Sequence, residues 1–189
     1  MILQATRPVI GIVGWKNSGK TTLVESLVGE LTRRGLRVST IKHAHHDCEI
    51  DKPGKDSYRH RQAGAQEVIV SSAKRWALVH ELDDESEPSL AGLLSHLSSC
   101  DLVLVEGMKS ETFDKILVVR GKNDPPWNLC TGICAVASDE PASAGPFQSL
   151  PLNEPRVIAD FLVARYQLEK RTRLARCDFS ISAQSGAPT

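Results

Sequence analysis

The chain is expected to fold as an α/β protein with a mostly parallel sheet and helices on both faces. Three observations predict this. Short apolar, β-branched runs alternate with segments whose apolar residues recur at helical spacing. The first such run is joined to the first helical segment by Gly14-Trp15-Lys16-Asn17-Ser18-Gly19-Lys20-Thr21, a G-x-x-x-x-G-K-T loop. A later apolar run, Asp101 to Val105, ends in the carboxylate and glycine of Glu106-Gly107.

The elements follow in order. Val9-Ile10-Gly11-Ile12-Val13 reads as a buried strand, and Leu23, Leu27 and Leu31 mark a helix that stops at Gly35. Strand, glycine loop and helix in that order indicate the P-loop NTPase fold. Arg37 to Lys42 is a second strand, followed by a polar, His-rich loop from His43 to Lys55. Asp56 to Ala65 is a helix. Gln66 to Ser72 and Arg75 to Leu82 are strands paired as a hairpin. An acidic loop from Asp83 to Pro88 leads to a helix with Leu90, Leu93, Leu94 and Leu97 on one face. After the strand ending at Glu106, Lys115 to Arg120 and Ile133 to Ala137 are strands, separated by a proline-containing loop from Gly121 to Trp127. Pro141 to Pro151 reads as irregular. Asn153 caps a last helix, with Pro155 in its first turn and Val157, Ile158, Phe161, Leu162 and Leu168 as its apolar face. Residues 1–170 read as one nucleotide-binding domain, and residues 171–189 as a disordered tail carrying Arg171, Arg173 and Arg176.

Bulk properties narrow the function classes. The 189 residues carry 23 Lys and Arg against 23 Asp and Glu, so no broad nucleic-acid or anionic-membrane surface is expected. No run approaches a membrane span, and no leader pattern opens the chain. An odd count of 5 cysteines points to a reducing cytoplasm. Cys130 and Cys134 are spaced too widely for a two-residue zinc or redox pair and read as inert thiols.

The glycine loop carries the chemistry. A triphosphate presents many acceptor oxygens, which backbone N–H groups and the positive end of a helix can meet. Gly14 and Gly19 let the backbone turn and approach the phosphates. Lys20 supplies charge to the β- and γ-phosphates, and the Thr21 hydroxyl suits Mg²⁺. The nucleotide-binding set is Gly14, Trp15, Lys16, Asn17, Ser18, Gly19, Lys20, Thr21 and Thr22. Glu106, at a strand end, takes the place of the acid that helps hold Mg²⁺; the competing reading is an acid capping a turn. Lys20 and Glu106 are the catalytic candidates, Thr21 and Glu106 the metal candidates.

Several separated stretches resemble the MobB family, adaptors of molybdopterin-guanine dinucleotide biosynthesis. They are Ile41-Lys42-His43-Ala44-His45-His46-Asp47, Asp51 to Ser57, Arg61 to Ala65, Val105-Glu106-Gly107-Met108-Lys109 and Ala135 to Asp139, spread over residues 8–167 in order. The resemblance implies a cytoplasmic, homodimeric GTP-binding protein that uses Mg²⁺ and hydrolyses GTP slowly. It implies work beside a MobA-type guanylyltransferase and contact with Mo-molybdopterin. Its Glu-Gly strand end maps onto Glu106 and Gly107, and the lysine beyond onto Lys109. Met108 stands where an aromatic residue is common.

Some readings stay open. His43, His45, His46, Asp47 and Cys48 fit a metal site, a patch for the pterin phosphate or the partner, or plain solvated histidines. Asp51, Lys55, Asp56 and Arg61 are candidates for Mg²⁺, phosphate or partner contact, or are surface charges. The usual Asn-Lys-x-Asp guanine signature is absent; Gly121-Lys122-Asn123-Asp124 only superficially resembles it. Asp139 can accept from guanine N1 and N2, or cap a turn. Trp15 and Trp127 can stack on rings or pack at a rim. Lys16 is one position off the signature lysine of deviant-loop ATPases, so it takes no intersubunit catalytic role. The alternatives to an adaptor GTPase are a metallochaperone GTPase, suggested by the His-rich loop, and a small-molecule kinase, which the fold permits.

Overall fold

The computed structural model describes residues 7–44, 51–82, 86–121, 130–140 and 145–168. The elements are β1 (Val9–Gly14), α1 (Lys20–Arg33), β2 (Val38–Lys42), α2 (Asp56–Gln62), β3 (Glu67–Ser71), β4 (Trp76–His80), α3 (Leu90–Ser95), β5 (Leu102–Glu106), β6 (Lys115–Val119), β7 (Ile133–Ser138), β8 (Gln148–Pro151) and α4 (Pro155–Tyr166). His45, His46, Asp47, Cys48, Lys122, Asn123, Asp124, Trp127 and the tail at 171–189 lie outside the described residues. The chain divides into two compact units, Met1–His43 with Ser99–Thr189, and Ala44–Ser98.

The first unit holds a six-stranded sheet in the order β2-β5-β1-β6-β7-β8, with every neighbouring pair parallel. β1 is central, with Ile12 in register with Glu106 on one side and Gly14 with Val118 on the other. Alternation along the strands divides the core. Ile10, Ile12, Leu102, Leu104, Ile116, Val118, Ala135 and Ala137 face one way. They meet Leu23, Leu27 and Leu31 of α1 and Ile158, Ala159 and Leu162 of α4. Val13, Leu117, Val119 and Val136 form a second cluster with Cys130. This is the P-loop NTPase arrangement, a parallel sheet with packed helices.

Helix ends follow local chemistry. At the end of α1, Gly35 adopts φ 84°, its N–H donates to the Thr32 carbonyl and the Leu36 N–H to that of Leu31. This is the Schellman closure that glycine permits. The same bonds end α2. Gly64, at φ 98°, donates to Arg61, and Ala65 donates to His60. The helix therefore stops at Gln62, short of the expected Ala65.

Three expectations are corrected near the C-terminal side. The segment ending at Pro151 is not wholly irregular, because Gln148–Pro151 pairs with β7. Leu150 is buried in the core there, and a proline is tolerated on this edge strand. The cap of α4 is Glu154, not Asn153, and its side chain makes no capping bond. Pro155 fixes the first helical position, so the residue before it is the cap. Val157 is exposed rather than part of the apolar face, while Leu168 beyond the helix is buried.

The second unit holds α2, α3 and the antiparallel β3–β4 hairpin, with Val68 opposite Val79 and Ser71 opposite Trp76. Ser89 caps α3 by accepting from the Gly92 N–H at 3.2 Å. Arg61 bonds Glu81 and lies 3.5 Å from Asp51, whose other oxygen accepts from Ser57 at 2.8 Å. Arg61 and Asp51 are thus engaged inside this unit.

Candidate functional site

β1 delivers the chain to the carboxyl edge of the sheet at Gly14. A Cβ there would lie 2.4 Å from the Val118 carbonyl oxygen and 2.9 Å from Ser18 Oγ, so only glycine fits. The loop then reverses. Ser18 N–H donates to the Trp15 carbonyl at 3.2 Å, Asn17 adopts φ 64°, and Gly19 adopts φ 95° as the cap of α1. The first intrahelical bond runs from Leu23 N–H to Gly19 at 2.9 Å. No side chain caps this helix and its first turn holds no acid, so its positive end is not neutralised from within.

The side chains of the loop divide into three roles. Ser18 is 7% exposed, and its buried Oγ has no hydrogen-bond partner among the described residues. A buried hydroxyl without a partner at a helix N-terminus fits an absent acceptor such as a phosphate oxygen. Lys20 Nζ donates to the Trp15 carbonyl at 2.6 Å. Burial pushes its amine below the ordinary lysine value; Glu106 opposes this, and Lys109 and Lys42 add to it. Lys42 and Lys109 therefore lie close enough to Lys20 for their charges to act on it. Trp15 is exposed at the rim, with the Lys109 ammonium 5.2 Å from its ring centre. Lys16 and Thr22 are exposed.

Glu106 arrives from β5, between β1 and β2. Thr21 Oγ1 donates to Glu106 Oε1 at 2.7 Å, across 85 positions of sequence. Gly107 turns the chain away at φ 104°, and a Cβ on it would come within 3.1 Å of His43 Cβ. His43 N–H in turn donates to the Glu106 carbonyl at 2.9 Å. Hydroxyl and carboxylate oxygens side by side are the hard donors that Mg²⁺ takes. Among the described residues no three His, Cys, Asp or Glu side chains converge as a metal cluster.

Asp139 follows β7 and is exposed. Its Oδ1 accepts from the Gly121 N–H at 2.8 Å, tying the loop after β6 to the end of β7. The turn-capping reading of this residue therefore has a bond to support it.

Two further residues stand out that the sequence did not single out. Arg120, just past β6, lies against Gly19, and a Cβ on that glycine would meet its guanidinium at 3.3 Å. It lines a cavity of about 180 Å³ with Thr22, Ser26, Leu152 and Asn153. Asn153, expected to cap the last helix, lines this cavity instead. The second, Lys115, is fully buried, and its ammonium donates to the carbonyls of Glu111, Phe113 and Thr131. A lysine opening a strand gives no sequence sign of this. Gly11 leaves the room, since its Cβ would lie 2.8 Å from Lys115 Cγ. In the second unit, a cavity of about 550 Å³ is lined by Lys52, Lys55, His60, Ile69 and Val70.

The family model for molybdopterin guanine dinucleotide synthesis protein B, MobB, matches residues 9–139. The chain belongs to the MobB family. It is 44% identical over 161 residues to the molybdopterin-guanine dinucleotide biosynthesis adapter protein of Escherichia coli K12, covering 82% of this chain and 91% of that protein. The adapter protein of that name from Haemophilus influenzae is 40% identical over 82% of this chain and 87% of its own. The crystal structure of Bacillus subtilis MobB superposes with a TM-score of 0.69 at 26% identity, over 84% of this chain and 97% of that one. A MobB homolog from Bacillus stearothermophilus gives a TM-score of 0.64 at 28% identity, over 84% and 97%. The matched MobB stretch spans the glycine loop, Glu106 and Asp139.

Proposed function

We propose that this chain is a GTP-binding adaptor of molybdopterin-guanine dinucleotide biosynthesis, with weak Mg²⁺-dependent GTPase activity. It acts in the cytoplasm beside a MobA-type guanylyltransferase, which joins GMP to Mo-molybdopterin, and it works as a homodimer. Among the described residues no helix is long and apolar enough to cross a membrane.

The observation that carries the reading is the Thr21–Glu106 bond at the foot of an uncapped helix, beside the orphaned Ser18 hydroxyl. Lys20, the loop amides and Ser18 hold the phosphates, and Thr21 with Glu106 would hold Mg²⁺. When bound, the metal neutralises phosphate charge. Membership of the MobB family supplies the pathway. The homodimer is supported by the exposed Ile69, Val70 and Trp76 of the hairpin, whose two strands pair only with each other among the described residues.

The test is equilibrium competition of GTP against ATP, with Mg²⁺ present and other metals stripped. GTP is expected to win. Equal binding or an ATP preference overturns the guanine assignment and favours a general ATPase or a kinase. Lys20→Ala is expected to weaken triphosphate binding by on the order of tenfold or more while leaving the melting temperature unchanged. Unchanged affinity removes the loop from the binding site.

A further inference from the structure

We infer that the cleft between the first two turns of α1 and the turn from β8 into α4 is the nucleoside pocket, with Asn153 reading the base. The inference rests on the nucleotide reading above and deepens it.

Direction comes first. A triphosphate is a linear chain, so its metal-binding end and its nucleoside end lie on opposite sides of the loop. Glu106, Lys42 and Lys109 gather on the β5 and β2 side of β1. The opposite side, toward β6, β7 and β8, is therefore where the nucleoside emerges. The cavity of about 180 Å³ opens there and touches the loop itself at Gly19 and Thr22. This side also satisfies the rule that ligands of open α/β sheets lie outside the carboxyl ends of the strands.

Size and chemistry agree. Whole-ligand pockets run to roughly 300–1,000 Å³, so this one takes a single moiety while the rest stays over the loop. Leu23 and Leu152 are buried beneath it and offer an apolar floor for a ring. Ser26 and Thr22 supply hydroxyls along the helix wall. Asn153 is exposed at the mouth, and its amide both donates and accepts, as a purine edge requires. Arg120 closes the β6 side with a planar guanidinium suited to stacking on a base. Asp139 does not line this cavity and holds the Gly121 N–H instead. Base reading thus moves from Asp139 to Asn153.

The test uses the full chain and two ligands, GTP and inorganic tripolyphosphate, each with Mg²⁺. Ser26→Phe fills the cavity, and Asn153→Ala removes the amide from an exposed position without touching the core. Both variants are expected to lose GTP affinity by on the order of tenfold while binding tripolyphosphate like the wild type. Unchanged GTP affinity in both variants overturns the pocket, as does an equal loss for both ligands. Failure of the wild type to bind GTP is a separate result, and it overturns the nucleotide reading itself.

Discussion

Glu106 illustrates what a single side chain decides. Its carboxylate sits 2.7 Å from the Thr21 hydroxyl because β5 and β1 are neighbours in register. Glu106→Gln keeps the size and removes the charge. The Mg²⁺ concentration needed for half-maximal nucleotide binding is expected to rise several-fold, since one charged ligand of a hard cation is lost. A titration of Mg²⁺ at fixed GTP measures this, and an unaltered midpoint takes Glu106 out of the metal site. Lys115 shows the opposite kind of residue. Its amine is pushed below its ordinary value by burial, yet it tethers three loop carbonyls rather than facing the glycine loop.

At the scale of the element, α1 and α4 are joined at their polar edges as well as through the core. Glu30 accepts from Arg33 and from Arg34, and Arg34 reaches across to Asp160 at 2.6 Å and to the Arg156 carbonyl at 3.3 Å. The hydrogen bonds from Arg33 and Arg34 hold the Glu30 carboxyl at about 2, below its usual 4.5. A carboxyl depressed in the folded state stabilises the fold above its unfolded value. That contribution fades as the pH falls from about 4.5 toward about 2. Glu30→Gln is therefore expected to flatten the acid limb of a stability-against-pH curve in this window. Melting temperatures of the two proteins measure it, and superimposed acid limbs show that the helix pair does not hold this carboxyl in solution. Elements whose signals are local were legible in advance: Gly35 ends α1, and Leu23, Leu27 and Leu31 define one face, whereas the helix expected through Ala65 stops at Gln62. β8 was not, because its strand character comes from pairing with β7 and from burying Leu150.

For the whole molecule, the hairpin is the conspicuous surface. Ile69 is 66% and Trp76 67% exposed, on a sheet of two strands. Its strands pair only with each other among the described residues, and sheet edges without a partner accept further strands. A second copy of the chain is the occupant the proposed dimer supplies. Trp76→Lys is expected to shift the protein from dimer to monomer, as read by sedimentation equilibrium. A variant that keeps the wild-type mass places the contact elsewhere.

The sequence by itself determined the parallel α/β class, the glycine loop and its helix, and the acid at the end of β5. Each of these is written in residues adjacent along the chain, where spacing and side-chain shape act without help from the rest of the fold. Gly14, Gly19 and Lys20 were legible from the loop's own pattern, although the Val118 carbonyl that leaves no room for a Cβ at Gly14 comes from β6. Tertiary structure alone decided that Asp139 bonds Gly121, that Arg120 lies against Gly19 and that Asn153 lines a cavity instead of capping a helix. These residues come from different strand ends, and only the strand order brings them to one edge of the sheet. No local pattern encodes such a meeting, because the free energy that fixes it is core burial shared across the whole sheet.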